Sequence, residues 1–90
     1  MALKPRSKDE VTLYTMEYCP YCVRAKALLT QRGVPFSEVL VPESDDEAWD
    51  NLYELSGLRT MPQIFKGDRL IGGYSDLAEL DQRDQLKSLR

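Results

Sequence analysis

The chain has no histidine and only two cysteines, Cys19 and Cys22, among its 90 residues. Structural zinc sites usually take four nitrogen or sulfur ligands, so only carboxylates could complete one here, and we expect no metal site. A c-type haem attachment needs histidine directly after the second cysteine, where this chain has Val23. The missing residue types therefore argue against the usual metal and haem roles of a cysteine pair.

Basic clusters and long hydrophobic runs are also missing. Twelve Lys and Arg stand against fifteen Asp and Glu, which gives a formal net charge of −3 and no field suited to nucleic acid. No apolar stretch approaches the ~18 residues of a membrane span. Residues 1–10 lack the apolar segment of a secretory signal. We therefore expect no nucleic-acid or membrane partner and a cytoplasmic location, where a cysteine pair is more often catalytic than structural.

The length of 90 residues suits one small domain with a modest core. Hydrophobic residues make up 42% and charged residues 30%, as in ordinary globular proteins. We expect the polar segment 1–10 to be a flexible tail and residues 11–90 to form the domain, as a monomer.

Hydrophobic periodicity predicts strands and helices in the order β-α-β-α-β-β-α. The strands are expected at 11–15, 35–41, 63–65 and 69–71, with the last two forming a hairpin. The first two strands should be parallel, because a helix connects them as a crossover. This order predicts an α/β sandwich with a four-stranded mixed sheet and helices on both faces, an arrangement that resembles the thioredoxin-like fold.

Three helices are predicted from apolar stripes and capping residues. The first runs from 20 to about 32 before Gly33, with an inner stripe of Cys22, Ala25, Leu28 and Leu29. The second opens at the capping-box pattern Ser44-Asp45-Asp46-Glu47 and ends at Gly57, with Ala48, Leu52 and Leu55 inside. The third is capped by Ser75 and Asp76. It carries Leu77 and Leu80, and Leu86 and Leu89 pack beyond it.

Cys19 and Cys22 are spaced C-x-x-C where the first strand gives way to the first helix, which is typical of a thiol–disulfide redox site. The free N–H groups and the dipole of a helix N-terminus favour a thiolate at Cys19. Such sites lower a cysteine pKa from near 8.5 to roughly 3.5–7.5. Pro20 suits the first helical position, and Cys22 is placed to attack a mixed disulfide on Cys19. Two ordinary buried cysteines remain the alternative.

Two further motifs are ambiguous when each is taken alone. In Thr60-Met61-Pro62-Gln63, the proline could simply be a trans residue at a strand edge, since only about 5–6% of X–Pro bonds in folded proteins are cis. Gly72-Gly73-Tyr74-Ser75-Asp76 could be an ordinary glycine turn before a capped helix. It could also be an anion site, with the N–H groups of Ser75 and Asp76 facing a carboxylate.

Taken together and in this order, Cys19-Pro20-Tyr21-Cys22, Thr60-Met61-Pro62 and Gly72-Gly73-Tyr74-Ser75-Asp76 resemble a dithiol glutaredoxin of the CPYC type. The resemblance covers residues 11 to about 80. It implies reduction of protein disulfides and glutathione mixed disulfides, with Cys19 as nucleophile and Cys22 as resolving thiol. It also implies glutathione as co-substrate with no tightly bound cofactor, and disulfide-containing or glutathionylated proteins as partners.

The resemblance further implies where glutathione binds. Pro62 would be cis, and the Met61 backbone would pair with the cysteinyl part of glutathione. The N–H groups of Ser75 and Asp76 would meet the γ-glutamyl carboxylate, and the Asp76 side chain its ammonium. The implied glutathione-binding residues are Tyr21, Arg59, Thr60, Met61, Pro62, Gly73, Tyr74, Ser75 and Asp76.

The chain departs from the family pattern at two positions that ordinarily hold the glycine carboxylate of glutathione. Met16 stands where a lysine is usual, and Trp49 where a polar residue is frequent, although Arg59 could substitute as the anchoring cation. These departures keep open a glutaredoxin-like protein reduced by a thioredoxin-type reductase. An iron–sulfur cluster carrier, dimeric with Cys19 and glutathione as ligands, is a further alternative, against which the stiff Pro20 argues.

Overall fold

A computed structural model describes residues 10–89 of the chain. Its elements are β1 (Val11–Thr15), α1 (Pro20–Gln31), β2 (Phe36–Leu40), α2 (Asp46–Ser56), β3 (Gln63–Lys66), β4 (Arg69–Gly72), α3 (Tyr74–Gln82) and a 3-10 helix (Leu86–Leu89). The predicted order is confirmed. Most of the predicted tail lies outside the described residues, but the Glu10 carbonyl accepts a hydrogen bond from the Gly67 N–H at 2.8 Å.

The four strands form one mixed sheet in the order β2-β1-β3-β4. β1 pairs in parallel with β2 and antiparallel with β3, and β3 pairs antiparallel with β4. β2 is therefore an edge strand, and β1 is central. All five residues of β1 are buried, as expected of a strand with helices on both of its faces. This sheet confirms the predicted fold class.

Alternate residues of the strands divide between two cores. The core under α1, α3 and the 3-10 helix contains Val11, Leu13, Ala25, Leu29, Val34, Ile64, Leu77, Leu86 and Leu89. The core under α2 contains Tyr14, Val41, Ala48, Leu52 and Phe65, with the Tyr14 and Phe65 rings meeting edge to face at 5.5 Å. α1 and α3 thus share one face of the sheet, and α2 covers the other. Within residues 10–89, no helix is long and apolar enough to cross a membrane.

The structure corrects two details predicted for α2. Its N-cap is Asp45, not Ser44, because the Asp45 carboxylate accepts the Ala48 N–H at 3.1 Å. Leu55 was expected on the inner stripe but is 48% exposed. The covered side of α2 instead runs through Ala48 and Leu52, with Trp49 and Ser56 half-buried.

The start of α3 also differs from the prediction. The helix begins at Tyr74 with Gly73 as N-cap, so Ser75 lies inside the first turn and caps nothing. Asp76 reaches back, and its Oδ2 accepts the Gly73 N–H at 3.0 Å. Aspartate in a helix's first turn is favourable there, because it satisfies a free backbone donor and opposes the positive end of the dipole.

Candidate redox site

The cysteine pair lies at the N-terminus of α1, one loop after the central strand. Cys19 is the N-cap residue in extended conformation, and Pro20 is the first helical residue. The two sulfurs are joined as a disulfide, with Cα atoms 5.2 Å apart. The Cys22 N–H donates to Cys19 Sγ at 3.2 Å, which is the N-cap arrangement predicted from the sequence. Cys19 is 7% exposed and Cys22 only 2%, so the first sulfur lies nearer the surface.

The loop before β3 also lies beside the disulfide, on the side of the central strand β1 that faces away from β2. The Met61–Pro62 peptide bond is cis, as the family resemblance implied. The Met61 carbonyl oxygen lies 3.7 Å from Cys19 Sγ. The buried Gln63 holds this loop, because its Nε2 donates to the carbonyls of Leu58 at 3.1 Å and Thr60 at 3.0 Å.

Beside this loop is a groove of about 340 Å³, called here the proline groove. It is lined by Tyr21, Thr60, Met61, Pro62, Gly73, Tyr74 and Ser75, so the structure brings together seven of the nine predicted glutathione-binding residues. The Tyr21 and Tyr74 rings lie 5.7 Å apart on one wall. The Arg24 guanidinium lies over the Tyr21 ring, 5.4 Å from its centroid.

Gly72 allows the chain to turn into α3 beside the proline loop. Gly72 has a φ of +130°, and a Cβ there would overlap the Asp76 carboxylate. A Cβ on Gly73 would come 3.6 Å from the Pro62 carbonyl oxygen, so the two segments pack backbone to backbone. Asp76 itself lines a neighbouring depression with Arg69 and Glu79 rather than the proline groove. Gly73, Tyr74 and Ser75, at the start of α3, form one end of the proline groove.

The other residues singled out from the sequence lie elsewhere. The Arg59 guanidinium stacks over Tyr53 at 4.3 Å, and its Nη1 lies 3.5 Å from Asp50 Oδ1. Trp49 packs on the α2 face, and its Nε1 donates to the Pro42 carbonyl at 3.0 Å. No lysine or arginine in the described part of the chain lines the proline groove.

A second groove, of about 540 Å³, lies between α1 and the end of β2, and we call it the α1–β2 groove. Its lining consists of Thr15, Met16, Glu17, Tyr18, Cys19, Pro20, Cys22, Val23, Lys26, Glu38 and Leu40. At its base, Glu38 Oε2 accepts the Thr15 hydroxyl at 2.7 Å and the Lys26 ammonium at 3.1 Å. The Thr15 hydrogen bond, followed by Lys26, holds the pKa of Glu38 below its usual value.

The periodicity and motifs of the sequence gave no indication of Gln63 as a site residue or of the α1–β2 groove. Gln63 looks like an ordinary strand residue, and only the burial of a polar side chain beside Pro62 could have marked it. The α1–β2 groove results from the distance between α1 and β2, which no local sequence pattern predicts. Across residues 10–89, no three or more His, Cys, Asp or Glu side chains cluster as metal ligands.

Comparison with known proteins identifies the family. A family model described as Glutaredoxin matches residues 11–71. Glutaredoxin 3 of Escherichia coli (strain K12) is 44% identical over 79 residues, covering 88% of this chain and 94% of that protein. The glutaredoxin of Neisseria meningitidis serogroup A is 42% identical over 79 residues, covering 88% and 93% of the two chains.

Solved structures agree in fold. Buckwheat glutaredoxin in complex with glutathione superposes with a TM-score of 0.78 at 31% identity, over 88% of this chain and 74% of that one. The holo form of glutaredoxin C1 from Populus tremula x tremuloides gives 0.82 at 33% identity, over 94% and 84%. With its cysteine pair at the N-terminus of α1, this chain belongs to the glutaredoxin family of thiol–disulfide oxidoreductases.

Proposed function

We propose that the protein is a glutathione-dependent oxidoreductase that reduces protein disulfides and glutathione mixed disulfides, with Cys19 as nucleophile and Cys22 as resolving thiol. The position of Cys19 carries the proposal. Its sulfur accepts a helix N-terminal N–H and lies between the Met61 carbonyl and the α1–β2 groove, while Cys22 is buried behind it. We also propose that the protein is a monomer in the cytoplasm. The reducing environment of the cytoplasm keeps the cysteine pair available as thiols.

The reaction begins with the reduced pair. The Cys19 thiolate attacks one sulfur of the substrate disulfide, forms a mixed disulfide and expels the other sulfur as a thiolate, which takes a proton from water. The Cys22 N–H stabilises the attacking thiolate, since charge-assisted hydrogen bonds are the stronger ones. Cys22 then loses its proton and attacks Cys19, which releases the second substrate thiol. The substrate gains two electrons, and the enzyme becomes the disulfide seen in the structure.

Two glutathione molecules return these electrons. The first attacks Cys19, frees Cys22 and remains bound as a mixed disulfide. The second attacks the sulfur of the bound glutathione, releasing glutathione disulfide and the Cys19 thiolate. Electrons and atoms then balance over one cycle, without any tightly bound cofactor.

The proline groove is the proposed site of the first glutathione. In this proposal the Met61 backbone pairs with the cysteinyl residue, and Tyr21, Thr60 and Tyr74 form the walls. The α3 N–H groups at Ser75 and Asp76 suit the γ-glutamyl carboxylate, because free N–H groups and the helix dipole attract anions. The glutathione complex of the related buckwheat glutaredoxin supports glutathione as a ligand.

Single-cysteine variants test the two thiol roles. Removal of glutathione from a small mixed disulfide needs only one nucleophile and external glutathione, so we expect Cys22→Ser to retain that activity. Cys19→Ser should lose it, and neither variant should reduce protein disulfides by the dithiol route. Steady-state rates with both substrate types measure this. Equal loss of the small-substrate activity in the two variants would refute the assigned roles.

The reductant itself is open to a specific alternative, a thioredoxin-type reductase, because Met16 replaces the usual lysine and no cation of residues 10–89 lines the proline groove. A charge-assisted hydrogen bond to a carboxylate is worth roughly 1.5–3 kcal/mol, or about ten- to a hundredfold in affinity. Met16 lines the α1–β2 groove beside Cys19 and not the proline groove. If the glycine end of bound glutathione extends past Cys19 to Met16, Met16→Lys lowers the KM for glutathione, with a gain that shrinks at high salt.

Arg59→Ala is the companion variant. If it raises the KM for glutathione sharply while Met16→Lys changes nothing, Arg59 must leave Tyr53 and Asp50 to anchor the glycine carboxylate. If neither substitution changes the KM, neither side chain holds the glycine carboxylate of glutathione, and the alternative of a thioredoxin-type reductase gains support. A coupled assay with thioredoxin and its reductase should then give the faster turnover.

A further inference from the structure

We propose that the α1–β2 groove binds the polypeptide of a protein disulfide substrate, as an extended segment with an apolar and a basic side chain next to its cysteine. The inference rests on the proposed function and adds a second binding surface to it. In the sheet order, β1 separates β2 from β3, so this groove and the proline groove flank the disulfide from opposite sides. A chain crossing Cys19 would reach both grooves.

Exposed apolar side chains are concentrated at the α1–β2 groove. Six large hydrophobic residues are exposed among residues 10–89, and three of them line the α1–β2 groove. These are Tyr18 at 97%, Val23 at 61% and Leu40 at 48% exposure. A fourth, Tyr21, lines the proline groove. Apolar surface gathered around a reactive pair indicates a contact site, whereas single exposed hydrophobics do not.

The register of the sheet places one of these side chains, Leu40, at the same end of the sheet as the cysteines. Leu40 lies opposite Thr15, the last residue of β1, and Glu38 opposite Leu13. Neighbouring side chains across a sheet share a face, so Leu40 stands on the α1 face at the same end of the sheet as the cysteines. β2 is an edge strand, so its outer backbone groups are not paired with another described strand. An extended segment suits such an edge, as in recognition by strand addition.

The rim of the α1–β2 groove is negatively charged. Lys26 is neutralised by its ion pair with Glu38 at 3.1 Å. Glu17 and Glu43 are exposed and have no ion-pair partner in the part of the chain that the structure describes. Both glutamates line a neighbouring depression, which shares Tyr18 and Leu40 with the α1–β2 groove. The rim is therefore anionic, and a basic side chain in the partner complements it.

The test compares two exposed leucines of equal exposure on opposite faces of the sheet. Leu40→Asn alters the α1–β2 groove, and Leu55→Asn on α2 is the matched control, since both leucines are 48% exposed. The probe is a synthetic octapeptide, dimerised through its single cysteine, with lysine and leucine beside that cysteine. Dithiothreitol serves as reductant, so this assay does not depend on glutathione. A second assay uses the mixed disulfide of glutathione and 2-mercaptoethanol, with glutathione as reductant.

We expect Leu40→Asn to lower kcat/KM for the peptide disulfide by about tenfold, because burying a leucine is worth at least that factor. Activity with the small mixed disulfide should not change, and Leu55→Asn should change neither activity. Equal losses in the two leucine variants, or a loss by Leu40→Asn with the small substrate as well, would overturn the proposal. Leu40→Thr, whose branched side chain suits a strand, must show the same selectivity if the asparagine variant does not fold.

A second peptide with glutamate in place of lysine tests the charge. The wild type should reduce the lysine peptide several times faster, and the preference should shrink at high salt and in the double variant Glu17→Gln, Glu43→Gln. Equal rates for the two peptides would refute the basic partner. Failure of the wild type with the small mixed disulfide would instead refute the proposed use of glutathione, and the peptide comparison would still decide the docking surface.

Discussion

The Glu38 carboxylate shows how single residues tie the redox helix to the edge strand. The Thr15 hydroxyl and the Lys26 ammonium both donate to it and lower its pKa. A carboxylate with a lowered pKa stabilises the fold above the unfolded value of about 4.3, and this contribution is lost as the pH falls through the folded pKa. The stabilising effect of Glu38 should therefore be complete at neutral pH and absent in strong acid.

Glu38→Gln removes the charge and keeps the shape. Because the ion pair is partly exposed, we expect a loss of about 0.2–1 kcal/mol in the free energy of unfolding at neutral pH. Urea unfolding at about pH 7 and about pH 3 measures the difference, which should be smaller at the lower pH. Glu43→Gln, at an exposed carboxylate, is the control and should show no such pH dependence. A gap that stays constant down to pH 3 would contradict the assignment.

For single residues, the sequence predicts the site best at positions where the backbone geometry requires a particular residue type. Cys19 and Cys22 follow from their spacing at a helix start, and most of the proline groove follows from the family motifs. Gln63 was missed because its role depends on two loop carbonyls that only the folded chain brings within reach. The guanidinium of Arg59 was expected near glutathione but stacks on Tyr53, since local aromatic contacts also attract cations.

Among the elements, α2 offers the clearest test of local structure. Asp45 caps it through the Ala48 N–H, whereas the capping-box pattern in the sequence pointed to Ser44. We expect Asp45→Ala to cost about 1 kcal/mol in the free energy of unfolding, the usual value of an N-cap, and Ser44→Ala to cost little. Urea denaturation of the two variants measures this. A larger loss in the serine variant would assign the cap to Ser44 after all.

The elements themselves were largely predictable. β1 and the order of all the elements follow from apolar runs and helical stripes, because these patterns directly reflect which face is buried. The buried face of α2 was only partly predicted, since Leu55 was expected inside but is 48% exposed, whereas Ser56 is half-buried. Which of these neighbouring positions is covered depends on how the whole helix lies on the sheet. The start of α3 was misplaced because Asp76 bonds backward to Gly73, a choice that depends on the turn before the helix.

For the whole molecule, stability depends on closing the core under α1 and α3. Leu86, in the 3-10 helix after α3, is buried in that core. We expect Leu86→Ala to cost about 2–5 kcal/mol, a large share of the roughly 5–15 kcal/mol that stabilises a typical domain. Leu55→Ala, at an exposed leucine, should cost far less. Chemical denaturation gives both values, and similar small losses would mean that the 3-10 helix is peripheral to the fold.

The proline groove draws its walls from three distant stretches of chain, represented by Tyr21, Met61 and Tyr74. The two thiols, in contrast, are neighbours in the sequence and remain close in any conformation. A nascent or partly unfolded chain therefore keeps a reactive dithiol before it has any means of choosing its substrate. If the proline groove binds glutathione as proposed above, a preference for glutathione over other small thiols reports complete folding, whereas thiol reactivity alone does not.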